Sequence, residues 1–291
     1  MSRADGEILG TTKIVDHGSG ATRWDLVVIG DGYTRGEMAV FERQAGELVD
    51  FLFATPPFDE LKAAINVHRV NVASRESGAS NLCDGTTRAT FFESRHCGFN
   101  IDRLLVTNNL LALDVAIDAV PEMNGTLMMV NSEIYGGSGG AVPVFSSHPD
   151  ALEIAVHEMG HSHFGLADEY PARESCQEAD HDRYLEPEPL EPNVTVFGDG
   201  RRWSQHLTPS VPLPSMENPD CADCDTRVSP FPPGTIGTFE GARYFRCGLF
   251  RPSYDCRMRN LGVPFCAVCQ DVIRTVLAPF VHKVRKRGVR R

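Results

Sequence analysis

The stretch His157-Glu158-Met159-Gly160-His161-Ser162-His163-Phe164-Gly165-Leu166-Ala167-Asp168-Glu169-Tyr170 decides how this chain is read. Its first half falls in an expected helix, Pro149–Phe164, which Ser147-His148-Pro149-Asp150 opens with a capping hydroxyl, an early proline and a first-turn acid. On a helix, residues four apart project from one face, so His157 and His161 can grip one metal ion. Glu158 is one residue on and can reach a water in the metal's open position. This is the H-E-x-x-H spacing of zinc metallopeptidases. Ala151, Leu152, Ile154, Ala155, Val156 and Met159 make the helix apolar nearly all round. Histidines and a glutamate among them need partners, which disfavours a merely wet polar face.

Zinc in hydrolases takes three protein ligands and a water. In the metzincin pattern a glycine three residues after the second histidine turns the chain, and a third histidine comes three later. Here Gly165 stands four residues after His161, and Asp168-Glu169-Tyr170 follows. The turn is shifted by one, with a carboxylate in place of the imidazole. Asp168 is the first candidate for the third ligand and Glu169 the second. Glu174 and Glu178 would suit a glutamate on a following helix. Asp168 could instead support a ligand histidine by a hydrogen bond. His163 lies two residues from His161 and faces away, so it reads as non-ligating.

Outward from the motif, strands and helices alternate. Asp25–Gly30 (DLVVIG) reads as a buried strand. Thr34 and Glu37 form a capping box before a helix whose Met38, Phe41, Ala45, Leu48 and Leu52 share one face, and Pro56-Pro57 stops it. Ile65–Val72 alternates as a half-buried strand, Asn100–Val120 reads as a long helix, and Thr126–Asn131 is an apolar strand running into Tyr135–Gly140 (YGGSGG). Cys266–Arg287 reads as a helix with a basic end. Between them, residues 171–235 are rich in Pro, Glu and Asp, and six of the nine cysteines lie in 221–269. The expected architecture is α/β (α+β): a mixed sheet with the metal helix, then a loop-rich, cysteine-rich C-terminal subdomain. Residues 1–165 form the first part and 166–291 complete the zinc site, in one catalytic domain overall.

The chain has 291 residues, 42% hydrophobic and 23% charged, which excludes wholesale disorder. No apolar run reaches about 18 residues, so no membrane span is expected. The net charge of −11 is the wrong sign for a nucleic-acid binder. Nearly all of it is local: residues 150–191 hold twelve acids and two bases, a bias that would favour cationic peptides in a cleft. Gly30-Asp31-Gly32 follows a strand like a dinucleotide turn, but the next glycine is Gly36, which spoils the spacing. Cys221-x-x-Cys224 and Cys266-x-x-Cys269 could make a zinc ribbon, yet Cys247 and Cys256 lie between them, which favours disulfides. An odd count leaves at least one thiol unpaired if all bonds are intramolecular. Residues 1–20 show no apolar signal region, while the cysteine content points to a secreted or periplasmic protein.

His157–Tyr170 (HEMGHSHFGLADEY) resembles the signature of the M64 metallopeptidase family, named after an IgA-cleaving peptidase. DLVVIGDGYT, INVHRVNVASRESG, CDGTTRATFF, VNSEIYGGSGG and CRMRNLGVPFCAVC resemble family blocks in family order, over most of residues 20–275. The resemblance implies a zincin fold, one catalytic Zn²⁺ held by His157, His161 and a nearby acid, Glu158 as the catalytic carboxyl, and peptidase activity. It does not fix the substrate. Within such a fold, Thr126–Asn131 with Tyr135, Gly136 and Gly137 is the candidate edge for an extended peptide, because glycines admit a substrate backbone closely. Met258, in a family block, is the candidate for a methionine beneath the metal. Tyr254 and Tyr170 are candidate donors to the oxyanion. The expected function is a zinc-dependent endopeptidase acting on protein or peptide substrates. Its rivals are a zinc amidohydrolase of cell-wall peptides and a non-catalytic zinc-stabilised binding protein.

Overall fold

Trp24–Asp31 (β2) is buried at all eight positions, so it must lie inside a sheet covered on both faces. Its side chains alternate between those faces. Val27 and Ile29 join a cluster with Leu111, Ala112, Val115 and Ala116. Gly30 turns the other way and lies against the ring of Phe41, 2.9 Å from where a β-carbon would stand. The computed structural model describes residues 5–172, 176–177 and 181–285, with the side chains of 282–285 excepted.

The elements run β1 (Gly6–Val15), β2, α1 (Met38–Ala54), α2 (Phe58–Leu61), β3 (Ile65–Ser74), β4 (Ser80–Asn81), β5 (Arg95–His96), α3 (Asn109–Ala119), β6 (Gly125–Val130), β7 (Gly137–Ser138), β8 (Val144–Ser146), α4 (Ala151–Phe164), β9 (Ile236–Ala242), β10 (Phe245–Ser253) and α5 (Ala267–Arg285). The main sheet has six strands in the order β1-β3-β2-β6-β8-β7. β3, β2, β6 and β8 are mutually parallel, and β1 and β7 are antiparallel additions at the two ends. The mixed α/β sheet is as expected. Chain packing forms two compact units, one from the chain up to His163 plus the segment from Val276, the other Phe164–Thr275. The first holds the main sheet. The second holds the β9–β10 hairpin, with a small core of Ala167, Tyr184, Val194, Ala242 and Leu249.

Two expectations are corrected, the peptide edge and the start of the third helix. Thr126–Asn131 is not an edge: β6 sits between β2 and β8, and the terminal strand is β7, in the glycine segment. The helix expected from Asn100 begins at Asn109, where the Asn108 side chain caps it by accepting from Leu111 N–H at 3.2 Å. Leu104 and Val106 instead make bridges to Gly137 and Arg95. The Gly-Asp-Gly turn is structural. Asp31, fully buried, accepts from the Ser74 hydroxyl at 2.9 Å and the amides of Phe92 and Ser94 at 3.2 and 3.1 Å. The four-cysteine ribbon does not form, since Cys221 pairs with Cys247 and Cys224 with Cys176. A third disulfide joins Cys83 and Cys97.

Candidate active site

On α4, Ile154, Ala155, Val156 and Met159 are buried. The half-buried side chains of His157, Glu158 and His161 follow from that placement. The two Nε2 atoms stand 3.1 Å apart, with the rings nearly perpendicular. Nitrogens sharing a tetrahedral zinc at about 2.0–2.1 Å lie about 3.4 Å apart, so the observed pair needs only a few tenths of an ångström. His163 points elsewhere, as expected. Its Nε2 lies 2.9 Å from the Thr126 carbonyl and its ring meets Trp24 edge-on. Burial lowers its pKa to about 4, so it is neutral at neutral pH.

The glycine segment lies directly on this helix. A β-carbon on Gly137 would stand 2.6 Å from Ile154 Cγ2 and 3.2 Å from Glu158 Oε1. On Gly139 it would stand 3.2 Å from His161 Cβ and 3.3 Å from Glu158 Oε2. The segment is fastened by Gly140 N–H donating to Ser162 Oγ at 3.1 Å and by Ser138 Oγ donating to the Leu105 carbonyl at 2.6 Å. Gly136 accepts from Ser146 N–H at 3.0 Å. Tyr135 is exposed, its ring edge-on to His148 at 5.2 Å. Partial burial raises its phenol pKa, Arg103 opposes that, and the charges of Asp150 and Glu158 add to it.

In the second unit, Gly165 takes φ +64°, the left-handed conformation that ends helices. Asp168 is buried, and the Tyr244 hydroxyl donates to its Oδ2. Arg243 N–H donates to the Asp168 carbonyl at 3.0 Å and Tyr244 N–H to the Tyr170 carbonyl at 3.1 Å. Arg243 and Tyr244 form the two-residue turn between β9 and β10, both with positive φ. Such turns favour Asn and Gly, so an Arg-Tyr pair gives no readable signal in the sequence. No sequence motif marks Tyr244 or Ser162, which hold Asp168 and Gly140.

The other residues named from sequence fall as follows. Glu169, with no exposure, donates its N–H to the Met258 carbonyl at 2.7 Å. Its Oε1 accepts from Asn193 at 2.8 Å and from the Cys269 thiol at 3.3 Å. Met258 is fully buried. The Tyr254 hydroxyl donates to the Arg227 carbonyl at 2.9 Å, and its ring lies under the Arg259 guanidinium. Tyr170 packs its ring on Tyr244 at 5.3 Å. Glu174 and Glu178 lie outside the described residues.

A helix presenting two imidazoles and a carboxylate beneath a glycine-rich edge is what a peptidase of the metal-dependent class would need. Compared with known families, the chain matches IgA Peptidase M64 over residues 12–223 and 226–277. It belongs to that family and is a peptidase, a hydrolase whose substrates are proteins or peptides. No curated protein matches it.

Proposed function

We propose that this chain is a zinc-dependent endopeptidase whose metal is held by His157, His161 and Asp168. The observation that carries the reading is the 3.1 Å approach of the two Nε2 atoms on α4, with Glu158 beside them. For Asp168, the support is that it follows the end of α4 by four residues and is oriented by Tyr244. Glu169 is the weaker candidate, because its Oε1 already accepts from Asn193 and from the Cys269 thiol. When bound, zinc would polarise the scissile carbonyl and acidify a water.

Glu158 accepts the proton of the attacking water and returns it to the leaving amine. Gly137 and Gly139, lacking side chains, let this segment pack directly beside that carboxylate. Tyr135, Gly136 and Gly137 form the rim that positions the peptide. The amide of Gly137 already donates to the Arg103 carbonyl at 3.2 Å, so a peptide would use other backbone groups of this rim. Met258 remains our candidate for the methionine under the metal. Tyr254 serves as oxyanion donor only if substrate displaces the Arg227 carbonyl from its hydroxyl.

The three disulfides fit an oxidising, extracytoplasmic setting. Among the described residues, no helix is long and apolar enough to cross a membrane. Cleavage of a mixed peptide library with and without a chelator tests the proposal. Chelator-sensitive cuts within peptides are expected. Cleavage confined to cell-wall peptides would favour an amidohydrolase, and zinc binding without cleavage a recognition protein.

A further inference from the structure

Three cysteines are left outside the disulfides, and all three are buried: Cys256, Cys266 and Cys269. Their thiols gather with the Glu169 carboxylate, the four potential donor atoms all lying within 4.8 Å of one another. Cys256 Sγ and Cys269 Sγ are 3.7 Å apart, well beyond a disulfide bond. Cys269 Sγ is 3.3 Å from Glu169 Oε1. Thiolates bound to one tetrahedral zinc at about 2.3 Å would stand about 3.8 Å apart. The observed sulfur spacing is thus the one such an ion would impose.

A further observation points to a cation at this place. Glu169 is fully buried, and while Asn193 holds its Oε1, its Oε2 has no hydrogen-bond partner. A buried carboxylate oxygen left so is costly, and a metal ion would satisfy it. Burial raises the pKa of the Cys256 and Cys269 thiols, and local dipoles oppose that cost. Cys266 N–H donates to Cys256 Sγ at 3.3 Å, and Cys266 and Cys269 stand at the N-terminal end of the 19-residue helix α5. The buried guanidinium of Arg251 lies within electrostatic reach of Glu169 and offsets part of the negative charge.

We propose that Cys256, Cys266, Cys269 and Glu169 form a second, structural zinc site with a Cys₃Glu donor set. Four protein ligands close the coordination sphere, which suits a structural ion and leaves no position for a reacting water. Soft thiolates select zinc over magnesium or calcium. The thiol protons are released to solvent as the ion binds. The site cross-links the segment after α4, the loop after β10 and the start of α5. Glu169 and its neighbour Asp168 then serve different ions.

The site stands independently of the proposed active-site metal, and the test separates the two. Zinc content and zinc-edge X-ray absorption are measured on wild type and on a His157→Ala/His161→Ala variant. The variant is expected to keep one zinc per chain, with a sulfur shell at about 2.3 Å. Wild type is expected to show the same sulfur shell. Cys269→Ser in the variant background should remove that zinc. A wild-type spectrum without sulfur neighbours, needing no substitution, would overturn the proposal. So would a folded double-histidine variant free of zinc. So would non-reducing peptide mapping that finds any two of the three cysteines disulfide-bonded.

Discussion

Gly139 lies so close to Glu158 that a single methyl group on it would meet the catalytic-candidate carboxylate, 3.3 Å from Oε2. Gly137 stands in the same relation to Oε1 at 3.2 Å. Backbone without side chains thus covers the carboxylate from the β7 side.

Gly137→Ala should therefore be costly. Its methyl would fall 2.6 Å from the buried Ile154 Cγ2, so either Ile154 or β7 must move. Overpacking of this kind costs about 1–3 kcal/mol. A lower melting temperature and at least a roughly tenfold fall in kcat/KM are expected, the latter being about 1.4 kcal/mol in transition-state binding. Unchanged kcat/KM would show that the glycine rim is not part of the site.

Asp168→Ala should remove one zinc per chain, and Tyr244→Phe should weaken that ion's affinity by about 10–100-fold, as expected when a ligand loses its orienting partner. Competition with a chromogenic chelator reads both. Full retention of zinc in Asp168→Ala would move the third-ligand role away from Asp168.

His96 should make the fold acid-sensitive. It is almost fully buried, its Nε2 lies 2.9 Å from Ser132 Oγ, and burial lowers its pKa below the usual 6.5. The unfolded chain binds a proton near 6.5 while the folded chain resists it. This contribution to stability is therefore complete above that pH and is lost as pH falls through it toward the lower folded value. Urea midpoints of wild type and His96→Gln at several pH values should show a shallower acid decline in the variant. Parallel declines would assign the effect to other groups.

Where periodicity is strong and local, the sequence was legible. β2, α1, β6 and α4 lie within a few residues of their expected bounds, because each buries one contiguous apolar set. Leu104, Leu105 and Val106 mimic the start of a helix, yet Leu104 and Val106 are spent on strand bridges, a long-range choice that local pattern does not contain. β7 has only two residues, too short to show alternation. In the site, the spacing of His157, Glu158 and His161 was readable because helix geometry alone brings them together. Tyr244 was not, because its position depends on a hairpin turn built from residues that rarely take positive φ. The cysteine pairing was equally hidden: spacing showed two Cys-x-x-Cys pairs, and folding sent one to disulfides and the other to a buried cluster beside Glu169.

The central claim is that Glu158 is the general base of a zinc peptidase, and one measurement addresses it most directly. Peptide hydrolysis by zinc-loaded wild type and Glu158→Gln is compared at equal zinc content and equal melting temperature. The account predicts a fall in kcat of at least about a hundredfold, with zinc retained. Turnover within a few-fold of wild type in the zinc-loaded variant would contradict it.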